Sequence, residues 1–171
     1  MARKAGEMTL IRGIGILQEL DDAQVARMIG ISRRVAFRAG ECIMREGEQG
    51  ETMYLFVSGE VDVTKNLTLK LGARDFGKAE KSMNKLRAER AAVFGEMAMF
   101  GPEPRSATIT ASADCVLFEI GRADFQALCE AEPALGVRVL RRIAAVMSSR
   151  VRKGNEEILK LSTALSIALS R

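Results

Sequence analysis

The sequence has no histidine and no tryptophan, one tyrosine, three prolines and three cysteines. Without histidine the commonest general base and metal ligand is missing. No nucleophile is patterned beside a base either, so catalysis is not expected. The cysteines, Cys42, Cys115 and Cys129, are isolated and odd in number. That argues against a disulfide or zinc framework and for buried, reduced thiols in a cytoplasmic protein. No apolar run approaches the length of a membrane span. Residues 8–17 are broken by charge and glycine, which no signal peptide tolerates. No membrane contact is expected. With so few aromatic rings, the core must be aliphatic and rich in methionine.

What is present suits one domain with a modest extension: 171 residues, 47% of them hydrophobic. A net charge of +4 fits an anionic ligand and is too mild to argue for nucleic acid. Residues 1–7 are polar and read as loose, and residues 10–17 predict a short helix. Gly13-x-Gly15 is not a dinucleotide fingerprint, because no strand precedes it and the third glycine is absent. Asp21 or Asp22 can cap the next helix, which puts Val25, Met28 and Ile29 on one face and ends at Gly30. From Ser32 the period changes to alternation. Val35 and Phe37 mark a strand, Cys42-Ile43-Met44 a second, and residues 52–57 a third. In the third, Met53, Leu55 and Val57 face one way and Tyr54 and Phe56 the other. Val61, Val63 and Lys65 follow, and residues 107–111 and 115–120 read as the last two strands. Short strands with glycine turns imply a sandwich or barrel.

The most informative stretch is Phe94-Gly95-Glu96-Met97-Ala98-Met99-Phe100-Gly101-Pro102-Glu103-Pro104-Arg105-Ser106-Ala107-Thr108. Gly95 lets a backbone approach a ligand closely. Met97 to Phe100 suffice for one helical turn, whose first N–H groups suit a phosphate. The Gly-Pro-Glu-Pro turn reverses the chain and delivers Arg105, whose planar fork matches phosphate oxygens. Glu96 is a pure acceptor suited to a sugar hydroxyl. A ligand that is part sugar and part phosphate fits this set.

The stretch resembles the phosphate-binding cassette of cyclic nucleotide-binding domains at Phe94, Gly95, Glu96, Met97, Ala98, Pro104, Arg105, Ala107 and Thr108. The turns at Ala39-Gly40-Glu41, Glu46-Gly47-Glu48 and Ser58-Gly59-Glu60 extend the resemblance over residues 10–155. It implies an α+β fold: an antiparallel β jelly roll (double-stranded β-helix) with N-terminal helices and a long C-terminal helix. The expected division is a helical segment 1–31, a jelly roll 32–121 with its cassette at 94–108, and C-terminal helices 122–171. The resemblance further implies that Glu96 accepts the ribose 2′-hydroxyl and Arg105 pairs with the cyclic phosphate. The backbones of Gly95, Met97, Ala98 and Ala107 would donate to ribose or phosphate. Ser106 follows the arginine where guanine-selective relatives often carry threonine, which favours cAMP over cGMP. Base contacts are expected from the long helix, with Arg150, Arg152 and Asn155 as candidates.

Residues 66–92 depart from the family pattern, and Ala91-Ala92-Val93 stands where relatives carry a glycine. Six basic and three acidic side chains over residues 74–90 read as a solvated, helix-prone excursion, or as a basic lid or partner contact. After a helix over residues 122–129 and a break at 130–133, the chain reads as helical to about Ser170. Val139, Leu140, Ile143, Val146, Met147 and Val151 form one apolar stripe. Ile158, Leu159, Leu161, Leu165 and Ile167 form another, with a hinge or bend expected at Gly154. The surplus apolar face predicts a homodimer through this helix. The leading expectation is a cyclic-nucleotide sensor whose output is helix rearrangement. The alternatives are the sensor half of a catabolite-activator-type transcription regulator and a degenerate, ligand-free dimerisation module. A helix-turn-helix domain should follow the long helix in such a regulator, and the sequence ends at Arg171, so direct DNA contact is not expected of it.

Overall fold

The computed structural model describes residue 11 and residues 13–70, 76–87 and 93–170, with residues 67–70 and 76–84 as backbone alone. The polar start at 1–7 and the Ala91-Ala92 approach to the cassette lie outside the described residues. Of the short helix expected over 10–17, Ile11 is helical, residues 10 and 12 lie outside the described residues, and a 3₁₀ turn spans Gly15–Leu17 and buries Ile16 and Leu17. Helix α1, Asp22–Gly30, starts at Asp21, whose carboxylate accepts from Gln24 N at 2.9 Å. The Gln24 side chain accepts from Asp21 N in return, a reciprocal cap that satisfies two otherwise orphaned donors. Val25 and Met28 are its buried residues.

Eight strands follow: β1 Ser32–Phe37, β2 Cys42–Met44, β3 Thr52–Ser58, β4 Glu60–Lys70, β5 Phe76–Arg87, β6 Val93–Phe94, β7 Thr108–Ala111 and β8 Cys115–Gly121. They form two antiparallel four-stranded sheets, ordered β1-β8-β3-β6 and β2-β7-β4-β5. This is the expected jelly-roll arrangement. Alternation along β3 sorts its side chains as the sequence implied. Tyr54 and Phe56 join the core between the sheets, and Met53 and Leu55 join the core under the helices.

Within residues 66–92, the described residues 66–70 and 76–87 contradict the helix-prone reading. Strand β4 runs on to Lys70 and pairs with β5 from Glu60↔Arg87 to Lys70↔Phe76, with one register shift between Val63 and Thr64. The helix preference of Lys, Glu, Ala and Arg is worth only tenths of a kcal/mol per residue. The edge of β4 pairs the alternate backbone groups of β5 that face it, and that outweighs it. Glu60 anchors the base of this hairpin, paired with both Arg87 and Lys85. The Arg87 hydrogen bond is the main cause holding its carboxyl below the usual value.

Helix α2, Arg122–Ala131, leads through Glu132 into α3, Pro133–Leu169. Proline at the first helical position fits because its missing N–H would be unpaired there anyway. Leu135, Val139 and Ile143 of α3 are fully buried against the β1-β8-β3-β6 sheet and the N-terminal turn. Each such burial is worth about 1.5–3 kcal/mol. Helix α3 runs through Gly154 without a break, as one helix of 37 residues. One glycine costs about 1 kcal/mol, too little to interrupt hydrogen bonding on both sides.

Candidate functional site

The segment between β6 and β7 starts in one sheet and ends in the other. Phe94 pairs with Tyr54 on β3, while Thr108 pairs with Thr64 on β4. The intervening chain therefore spans the mouth between the sheets. Gly95 makes the first turn with φ of 71°, a left-handed conformation suited to glycine. A Cβ there would lie 2.9 Å from Arg105 Nη1 and 3.0 Å from the Thr52 carbonyl oxygen. Glu96–Met99 form one 3₁₀ turn. Arg105 is fixed by backbone pairing with a neighbouring turn: its N–H donates to Glu48 O and its carbonyl accepts from Gly47 N, both at 2.9 Å.

Arg105 is 9% exposed, and its hydrogen-bond partners are all neutral. Nη1 donates to Thr52 O at 2.7 Å and Gly95 O at 3.4 Å, and Nη2 to Thr52 Oγ1 at 2.8 Å. Burial pushes this guanidinium below its ordinary value. A desolvated cation with neutral partners is a place where an anion binds well. Room for the fork depends on Gly50, where any Cβ would land on the guanidinium.

Glu96 is 3% exposed. Its Oε1 holds Arg150 Nη1 of α3, and Arg150 Nη2 also donates to Val93 O at 2.6 Å. Its Oε2 is buried without a hydrogen-bond partner among the described residues. Leaving such an acceptor unpaired costs about 1–3 kcal/mol. Glu96 and Arg105 border one cavity of about 450 Å³. All seven site residues named from sequence, Gly95, Glu96, Met97, Ala98, Arg105, Ser106 and Ala107, line it. Its apolar wall comes from both sheets, through Met44, Val63, Leu86, Phe94 and Ile109.

Helix α3 closes one side with Arg150, Lys153, Gly154 and Glu157. Of the base-contact candidates only Arg150 is there, and Arg152 and Asn155 are not in the lining. The physical reason is helical spacing. Positions 150, 153, 154 and 157 share a face, while 152 and 155 are turned from it. That spacing, read forward from Arg150, could have found Lys153 and Glu157. Lys65, Gly50 and Thr52 carried no local signal, because distant pairings bring them to the site.

The profile of the cyclic nucleotide-binding domain matches residues 34–132, more than half of the chain. The chain belongs to the cyclic nucleotide-binding domain family. Among its relatives is a cyclic nucleotide-gated potassium channel of Mesorhizobium japonicum, 32% identical over 74% of this chain and 31% of the channel. A cAMP-dependent protein kinase regulatory subunit of Aspergillus niger is 30% identical over 67% of this chain and 25% of the subunit. The chain thus spans about a third or less of these curated relatives. The Thermus thermophilus catabolite activator protein superposes with a TM-score of 0.70 at 26% identity, covering 86% of this chain and 63% of that one. This cyclic nucleotide-binding domain holds Glu96 and Arg105 at one cavity, with α3 against it. No helix among the described residues is long and apolar enough to cross a membrane.

Proposed function

We propose that this chain senses a cyclic nucleotide, cAMP in preference to cGMP, and signals through α3. One observation carries the reading. The same cavity is bordered by a buried carboxylate oxygen without a donor and by a buried guanidinium with neutral acceptors. A ribose 2′-hydroxyl would donate to Glu96 Oε2, and the cyclic phosphate would accept from Arg105. Backbone N–H groups at Gly95, Met97, Ala98 and Ala107 would complete the hold. The preference for cAMP rests on Ser106, exposed on the cavity wall, and agrees with the name of the Aspergillus relative.

Arg150 ties α3 to Glu96, so a ligand that engages Glu96 changes how the cassette grips the helix. Ligand shifts the population only by binding one placement of α3 better than the other. No catalytic step, membrane contact or direct nucleic-acid contact belongs to this proposal. A cytoplasmic setting does: Cys42, Cys115 and Cys129 are all free thiols, although only Cys115 is buried as expected, Cys129 being half-buried and Cys42 exposed at the start of the short strand β2. So does a homodimer through the exposed end of α3. A second reading is the sensor half of a catabolite-activator-type regulator, favoured by the match to 63% of the Thermus protein. It predicts a DNA-binding segment following residue 171 in the native polypeptide.

Calorimetry with cAMP, cGMP and AMP tests the primary reading. Cyclic forms should bind and AMP should not, with cAMP the tighter. Arg105→Ala leaves a desolvated phosphate unpaired, a loss of about 3–5 kcal/mol or very roughly 200- to 5000-fold in affinity. Equal binding of AMP, or an unchanged affinity in Arg105→Ala, refutes the site.

A further inference from the structure

One row of side chains crosses the whole β1-β8-β3-β6 sheet. Register sets Arg33 opposite Glu119, Glu119 opposite Tyr54, and Tyr54 opposite Phe94. The side chains follow it. Arg33 Nη2 and Nε donate to Glu119 Oε2 at 2.6 and 3.0 Å. The Tyr54 hydroxyl donates to Glu119 Oε1 at 3.0 Å. The Tyr54 ring stacks on Phe94 of the cassette with centroids 5.2 Å apart. Two residues back along β3, Thr52 Oγ1 donates to the Tyr54 hydroxyl oxygen at 3.4 Å and accepts from Arg105 Nη2 at 2.8 Å.

Every proton in this chain has a fixed direction. A carboxylate only accepts, so the Tyr54 proton points to Glu119. The Tyr54 oxygen is then free to accept from Thr52, and the Thr52 oxygen to accept from Arg105. The result is an unbroken path from a buried cation to a carboxylate on the neighbouring strand β8. The Thr52–Tyr54 link, at 3.4 Å, is its weakest step.

We propose that Tyr54 and Glu119 are positioning residues for Arg105, holding its guanidinium ready for an anion through Thr52. This rests on reading the cavity as an anion site. A carboxylate paired directly with Arg105 would repel an incoming phosphate. A carboxylate reached through two hydroxyls polarises the guanidinium's partner and leaves Nε unengaged among the described residues. The hydroxyl of Tyr54 is raised above its ordinary value, first by burial and further by Glu119, while Arg105 works the other way. Both ends of the path are thus felt at its middle.

The test uses Tyr54→Phe, which keeps the ring on Phe94, Glu119→Gln, and the double variant. Affinity for cAMP and cGMP is read by calorimetry, and tyrosine ionisation by absorbance. The protein has one tyrosine, so that signal belongs to Tyr54 alone. Each single variant should weaken binding about threefold to tenfold, the share of one hydrogen bond. The double variant should lose no more than the worse single, because a path cut once is already cut. Thr52→Val should lose at least as much, and Thr52→Ser should restore binding. Without ligand, Glu119→Gln should lower the Tyr54 ionisation point and Arg105→Gln should raise it. Additive losses, or full affinity in Glu119→Gln, overturn the path. If the unaltered protein binds neither nucleotide, the anion-site reading fails instead. The path is then judged by absorbance: both shifts uphold it, and a Tyr54 signal unmoved by Arg105→Gln overturns it.

Discussion

Glu96 keeps a negative charge almost wholly out of water, and Arg150 is the cation that makes this tolerable. Arg150→Ala leaves the carboxylate without its ion-pair partner. Breaking a fully buried pair costs about 3–5 kcal/mol. The Arg150 side chain is 41% exposed, and solvent screening reduces the expected loss to about 1–3 kcal/mol. Urea unfolding of the ligand-free protein measures it, and an unmoved midpoint would show that the pair contributes nothing. Tyr54 gives a prediction in pH. Its hydroxyl holds its proton more tightly folded than unfolded, where the ordinary value is 10.0. Above that value the unfolded chain binds fewer protons, so stability falls with rising pH. The Tyr54 contribution is complete below pH 10 and lost as pH rises through the folded value. Melting temperatures between pH 8 and 11 should show this decline, reduced in Tyr54→Phe.

Among the elements, Gly154 in α3 offers the simplest intervention. A Cβ there meets nothing within 4 Å, and alanine is preferred over glycine inside a helix by about 0.8–1.0 kcal/mol. Gly154→Ala should therefore raise stability by roughly that amount in denaturant titrations. Gly154→Leu should weaken nucleotide binding by entering the cavity that position 154 borders. The same element shows what a sequence can and cannot tell. The stripe at Val139 and Ile143 is legible because burial follows the helical period, and the strands at Met53 to Phe56 because they alternate. Strand β5 was not legible. Its lysine-rich composition reads as helix, and only pairing along β4, the strand just before it, decides otherwise. At the site, the cassette announces itself locally. The contacts of Arg105 with Thr52, and of Glu96 with Arg150, join residues 53 and 54 positions apart and leave no local pattern.

At the scale of the molecule, α3 is longer than the domain it covers. Its 37 residues extend about 55 Å. From Val151 onward apolar side chains lie open: Val151 is 62% exposed, Ile158 63%, Leu161 66% and Leu165 60%. Positions 151, 158 and 165, with 154, 161 and 168 between them, repeat at the spacing of a two-stranded coiled coil. A second copy of α3 matches this seam. Sizing by light scattering should give a dimer, and Leu161→Asp with Leu165→Asp should give a monomer. A monomeric unaltered protein would end the proposal of a pair.

The cassette has one foot in each sheet, Phe94 against β3 and Thr108 against β4. Its shape is undefined until both sheets exist and have come together. A nucleotide finds nothing to hold before that moment. Its stabilising effect must then fall on the escape from the native state and not on the approach to it: bound protein unfolds more slowly, while the rate of folding stays as it was.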